Sequence, residues 1–150
     1  MVSGTDQSEP GPGPVRVLVV DDHVLVREST THILGCAGMV VVGGAGTAEE
    51  ALAMIPGTQP DVALVDIRLP GMSGLDLAHE VGLRYPDVRT LLFSAYADQA
   101  YVQQALAIGV SGYLLKTVSP QELVEEVGSV HDGGFVMDTA ISERMGRWAL

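Results

Sequence analysis

An α/β fold, one parallel sheet with helices over both faces, is predicted by three features of the sequence. Short, nearly continuous apolar runs recur along the chain, longer segments of helical period separate them, and the notable polar residues fall at the same end of each run. Unbroken apolar character is what a strand shows when helices bury both of its faces. Strands alternating with helices then imply parallel crossover units.

The first run, VRVLVV at 15–20, ends on two adjacent carboxylates, Asp21 and Asp22. A helix near 23–35 follows, opened by His23, and MVVVG at 39–43 supplies a second strand. TAEE sets Thr47 as N-cap with Glu50 at the capping-box position, which starts a helix over 47–55. VALVD at 62–66 is the third strand; Pro70 and Gly74 in LPGMSG shape the tight turns before a helix over 74–84. TLLFS at 90–94 is the fourth strand. The Ala-rich segment DQAYVQQALAIG then forms a helix over 98–108, whose few charges suit either core packing or a dimer or effector-docking face. GYLLK at 112–116 is the fifth strand, and SPQE opens a helix over 120–130 with Ser119 as cap, Pro120 at N1 and Glu122 at N3. Beyond it, Ile141, Met145 and Trp148 share one helix face.

Length and composition bound the rest. The 150 residues suit one domain with a core large enough to fold without staples. Residues 1–14, rich in Gly, Pro and Ser, are expected to be a flexible leader outside the fold. The single cysteine, Cys36, is read as a small buried hydrophobe and cannot form an internal disulfide. With no secretory leader and no apolar run of about 18 residues, the chain is expected in the cytoplasm and not in a membrane. A net charge of −11 is a poor footprint for neutralising phosphates, so this chain alone should not grip DNA.

Polar residues at the strand ends point to chemistry. Asp21, Asp22, Asp66, Ser94 and Lys116 all close strands at their carboxyl ends. Ligands of open parallel sheets bind there, and in a flavodoxin-like five-stranded sheet of order 2-1-3-4-5 the crevice lies between strands one and three. Three carboxylates therefore meet. At a separation of about 5 Å each pair repels by about 3 kcal/mol at an effective dielectric near 20. A hard divalent cation such as Mg²⁺ removes that strain, using one or two carboxylates plus a phosphate oxygen. Lys116 and Ser94 suit phosphoryl oxygens. No GxxxxGK[ST] loop is present, so a nucleotide is not the expected phosphate carrier.

The motifs VVDDH, ALVDIRLPGMSG, LLFSAY and GYLLK together resemble the receiver domain of two-component response regulators, over residues 15–135. DDHVLVRE with GVSGYLLKTVSPQELVEEV is similar to the NarL/FixJ-type branch, whose receivers precede a LuxR-type helix-turn-helix. The resemblance implies that Asp66 accepts a phosphoryl group from a sensor histidine kinase. It implies Mg²⁺ held by Asp21, Asp22, Asp66 and the backbone carbonyl of Arg68. Lys116 would pair with Asp66 and then with a phosphoryl oxygen, Ser94 would donate its hydroxyl, and Tyr113 would be the switch aromatic. Arg68 and Tyr96 would flank the entrance for attacking water, where a long cation and a ring slow hydrolysis. His23 is read as the opener of a helix rather than as a catalyst. Phosphorylation would shift the fourth helix, fifth strand and fifth helix and favour a homodimer. Residues 136–150 would be a linker or helix leading toward an output domain, through which alone DNA would be bound.

Two residues depart from the commoner family pattern: Thr117, not proline, follows Lys116, and Ser94 stands where threonine is commoner. Two other readings compete. A haloacid-dehalogenase-like phosphatase also uses an Asp nucleophile with Mg²⁺, yet needs a second Asp two residues on, where this chain has Arg68. A stand-alone or pseudo-receiver would act by protein contact or ligand binding.

Overall fold

The computed structural model describes residues 13–148. Residues 1–12 of the expected leader, and residues 149–150, lie outside the described residues. The elements run β1 (Arg16–Val20), α1 (Val24–Cys36), β2 (Val40–Ala45), α2 (Ala48–Thr58), β3 (Val62–Val65), α3 (Gly74–Arg84), β4 (Arg89–Ser94), α4 (Gln99–Ile108), β5 (Gly112–Leu115), α5 (Pro120–His131), β6 (Val136–Met137) and α6 (Thr139–Trp148). The strands form one parallel sheet of order β2-β1-β3-β4-β5-β6. The predicted doubly wound order is present, with a sixth strand added at the β5 edge.

Period-two alternation sorts each strand's side chains between two cores. Leu18, Val20, Ala63, Val65, Leu92, Tyr113 and Leu115 face α2, α3, α4 and α6. Val17, Val19, Val62, Leu64, Leu91, Phe93 and Leu114 face α1 and α5. Both faces are buried, as the unbroken apolar runs require.

Several boundaries move for physical reasons. β2 extends through Gly43 and Gly44 to Ala45, because its parallel ladder with β1 continues past a bulge at Val17/Leu18. α2 runs through Pro56, where a helix end was expected; with the helix ending at Gln59 in the left-handed region, the proline removes one hydrogen bond within the last turn. The Thr47 hydroxyl accepts from Glu50 N as expected (3.1 Å), but the Glu50 carboxylate takes Gly46 N (2.9 Å) instead of closing the box on Thr47. At α5 the box is complete: Glu122 N donates to Ser119 Oγ (3.1 Å) and Ser119 N to Glu122 Oε1 (3.2 Å). Cys36 is exposed, not buried; it ends α1 on the outer face, beside His32.

The segment from Val136, set apart from the domain in the sequence reading, packs onto it. Val136 and Met137 pair with Gly112 and Tyr113, and Ile141 is fully buried in the same core as Tyr113. Gly112 makes this pairing feasible, since a Cβ there would lie 2.6 Å from Val136 O.

Candidate functional site

The rim of the sheet is held by a backbone ladder that continues just past the strand ends. Asp21 N donates to Ala45 O, Asp66 N to Val20 O and Lys116 N to Ser94 O, each at 2.9 Å. Each residue follows a strand directly, so its side chain projects over the carboxyl edge while its main chain stays fixed. Gly74 supports the acceptor side from below: its N–H donates to Ile67 O (2.8 Å), and a Cβ at this position would fall 2.0 Å from Asp66 O. The glycine is required by the close approach of α3 to the Asp66 backbone, which the sequence registered only as a turn.

Asp21 and Asp66 are buried, and the Lys116 ammonium bridges them, 2.5 Å from Asp21 Oδ2 and 2.9 Å from Asp66 Oδ2. Burial pulls this ammonium's pKa down, but hydrogen bonds and charge from the two carboxylates outweigh it and hold the lysine above its ordinary range. Asp22 is more open to solvent. Ligand atoms of Asp21, Asp22, His23 and Asp66 all lie within 4.8 Å of one another. One lysine against three carboxylates leaves the pocket negative, and the donors are mostly hard oxygens, which fits a small divalent cation such as Mg²⁺.

His23 opens α1 as expected, but it does more than that. Its N–H donates to Asp21 Oδ1 (2.9 Å), and Nδ1 lies 3.3 Å from Asp21 Oδ1 and 3.2 Å from Asp22 Oδ1. Arg27, part of the DDHVLVRE stretch but given no role in the sequence reading, reaches back from α1 to donate to Asp21 O at 2.6 Å. A lone helical arginine gives no sequence signal for such a role.

On the other side, Ser94 is fully buried at the end of β4 and its Oγ accepts from Tyr96 N at 3.1 Å. A hydroxyl can accept there and still donate elsewhere. Arg68 N donates to Asp66 Oδ1 (3.2 Å), and the Arg68 guanidinium stacks 4.0 Å from the Tyr96 ring centre, so the two residues read as entrance flanks do touch. Tyr113 is fully buried, and its hydroxyl donates to Tyr96 O. Burial, with nearby acidic groups, pushes its phenol pKa up. No peptide bond among the described residues is cis, so the Lys116–Thr117 bond is trans.

Residues 17–128 match the family model described as the response regulator receiver domain. The chain belongs to that family. The probable transcriptional regulatory protein NarL of Mycobacterium tuberculosis is 45% identical over 121 residues, which cover 80% of this chain and 56% of that protein. The solved signal receiver domain of the putative response regulator NarL from the same organism superposes with a TM-score of 0.77 at 41% identity, covering 81% of this chain and 99% of that one. A two-component response regulator of the LuxR family from Aurantimonas superposes with a TM-score of 0.86 at 29% identity, covering 91% and 99%. The chain spans 56–58% of the length of the first curated relatives it matches. This receiver domain is thus of the kind found in LuxR-family two-component regulators, a signalling domain rather than a conventional enzyme. Among the described residues no helix is long and apolar enough to cross a membrane.

Proposed function

We propose that this receiver accepts a phosphoryl group on Asp66 from the phosphohistidine of a sensor histidine kinase, with Mg²⁺ held by Asp21, Asp22, Asp66 and the Arg68 carbonyl. The observation that carries the reading is the Lys116 ammonium lying between the buried Asp66 and Asp21 carboxylates, with Asp22 adjacent. An Asp66 carboxylate oxygen forms a bond to phosphorus as the phosphorus–nitrogen bond breaks, and the departing imidazole nitrogen keeps the electron pair and takes up a proton. Lys116 passes from Asp66 to a phosphoryl oxygen, and the Ser94 hydroxyl donates to another. Bound Mg²⁺ supplies charge neutralisation for the acids and the incoming oxygens. Arg68 stacked on Tyr96 narrows the path of the water that would hydrolyse the acyl phosphate.

The partners of this reading are the kinase, a second copy of the receiver after phosphorylation, and DNA reached through a LuxR-type output domain rather than through this acidic surface. Its setting is the cytoplasm. Treating the protein with acetyl phosphate and Mg²⁺ and mapping the added phosphate by mass spectrometry tests it. The phosphate is expected on Asp66 and absent from the Asp66→Asn variant; a phosphate mapped elsewhere, or none, overturns the proposal.

A further inference from the structure

Lys116 lies at one end of a connection that runs out of the pocket to α6. The residue directly before it, Leu115, is the last of β5, and β6 stops at Met137, too short to offer Leu115 a strand partner. A side chain takes over. Asp138 Oδ2 accepts from Leu115 N at 3.1 Å, while Oδ1 accepts from Ala140 N in the first turn of α6 at 2.9 Å. The Asp138 main chain is tied to the same strand, its N–H donating to Tyr113 O at 2.9 Å. Capping a helix needs one carboxylate oxygen. Here the second is spent on the strand that carries the lysine, so both elements share one rigid, planar group.

The inner face of α6 completes the connection. Ile141 is fully buried in the core that holds Tyr113 and Val102 of α4, and Met145 and Trp148 pack against that core. Two ties, one polar and one apolar, therefore join α6 to the end of β5 and to the core that holds Tyr113.

We propose that Asp138 is a positioning residue that couples α6 to the Lys116 end of β5, so that occupation of the Asp66 pocket by a phosphoryl group shifts α6. The inference rests on the phosphoacceptor reading of Asp66. When Lys116 leaves the two carboxylates for a phosphoryl oxygen, the Leu115–Lys116 backbone moves with it, and Asp138 carries that displacement to the α6 N-terminus. Coupling is reciprocal, so the seating of α6 also biases the pocket.

Trp148 is the single tryptophan of the chain and lies on α6, which makes its emission a specific reporter. The whole protein is titrated with beryllium fluoride and Mg²⁺, following Trp148 fluorescence and, in parallel, bound fluoroberyllate by fluorine NMR. In the unaltered protein both signals are expected to change with one midpoint. Asp138→Ala is expected to form the adduct with an apparent affinity changed by about fivefold or more, and to lose most of the Trp148 response. Asp138→Asn, which keeps one acceptor oxygen, retains part of it. Ile141→Val trims one methyl group from the α6 seat without touching either hydrogen bond and is expected to keep most of the response, with a midpoint shifted far less than in Asp138→Ala. A silent Trp148 in the unaltered protein despite adduct formation overturns the inference. So does a full response in Asp138→Ala, or equal attenuation in Asp138→Ala and Ile141→Val, which would make Asp138 a stabiliser of the fold and nothing more. Absence of any adduct in the unaltered protein defeats the reading of Asp66 itself, and this inference with it.

Discussion

Lys116 is where charge and stability meet most closely. Its ammonium is mostly buried and neutralises two buried carboxylates at once. Lys116→Met leaves Asp21 and Asp66 side by side without a partner, a loss of about 3 kcal/mol by analogy with broken buried pairs. Thermal melting without Mg²⁺ should therefore fall sharply, and added Mg²⁺ should raise the variant's melting temperature by more than it raises the parent's; equal increments would count against this account. The two carboxylates hold the lysine's pKa in the folded protein above its ordinary value. Its stabilisation is therefore full through neutral pH and disappears as pH climbs from there past the folded value. The parent should lose this part of its stability in alkali, and Lys116→Met should not. Arg68 and Tyr96 act on time rather than stability. Replacing both by alanine opens the approach to Asp66 and should shorten the acyl-phosphate lifetime, followed by loss of label after the donor is removed; an unchanged lifetime would speak against a shielding role. Asp21, Asp22, Asp66, Ser94 and Lys116 were legible in the sequence because each ends or closely follows a strand of fixed period, so position along the chain determines position at the rim. Cys36 and the His23 imidazole were not. Their exposure and contacts depend on the angle at which α1 leaves the sheet, which no local pattern encodes.

At the scale of elements, close approach between backbones decides as much as side-chain chemistry. Gly74→Ala places a methyl 2.0 Å from Asp66 O, a clash with main chain on both sides that no rotamer relieves. We expect a loss of about 1–3 kcal/mol in denaturant unfolding, together with slower phosphate uptake, since α3 can recede only by dragging the Asp66 loop. Normal uptake in a destabilised Gly74→Ala protein would refute that link. α5 was readable from four residues, because Ser119, Pro120 and Glu122 satisfy the helix start by themselves. β6 was not readable. Two residues carry no period, and the strand exists because Gly112 leaves room for Val136 O and because Ile141 anchors the helix beyond it.

For the molecule as a whole, both cores lean on one sheet, and α6 shares the core of α2, α3 and α4. Unfolding should accordingly be a single cooperative event. Trp148 fluorescence, reporting α6, and far-ultraviolet circular dichroism, reporting all helices, should give the same melting midpoint. An earlier fluorescence transition would mean that α6 is a separate unit. The sheet order and both buried faces were visible in the sequence because unbroken apolar runs and crossover helices leave few arrangements. The extent of the folded unit beyond residue 135 was not: the pattern put Ile141, Met145 and Trp148 on one helix face, but not the core against which that face packs.

The space left by Gly112 has a practical consequence for anyone joining this receiver to another protein. A fusion made at residue 135 would strip Val136 from the β5 edge and uncover the hollow that Ile141 fills, and any foreign segment spliced over β5 would have to bring a glycine to that position. A junction placed after Trp148 keeps the sheet edge covered and leaves the Asp138 tie to Leu115 intact, so chimeric sensors should be cut there.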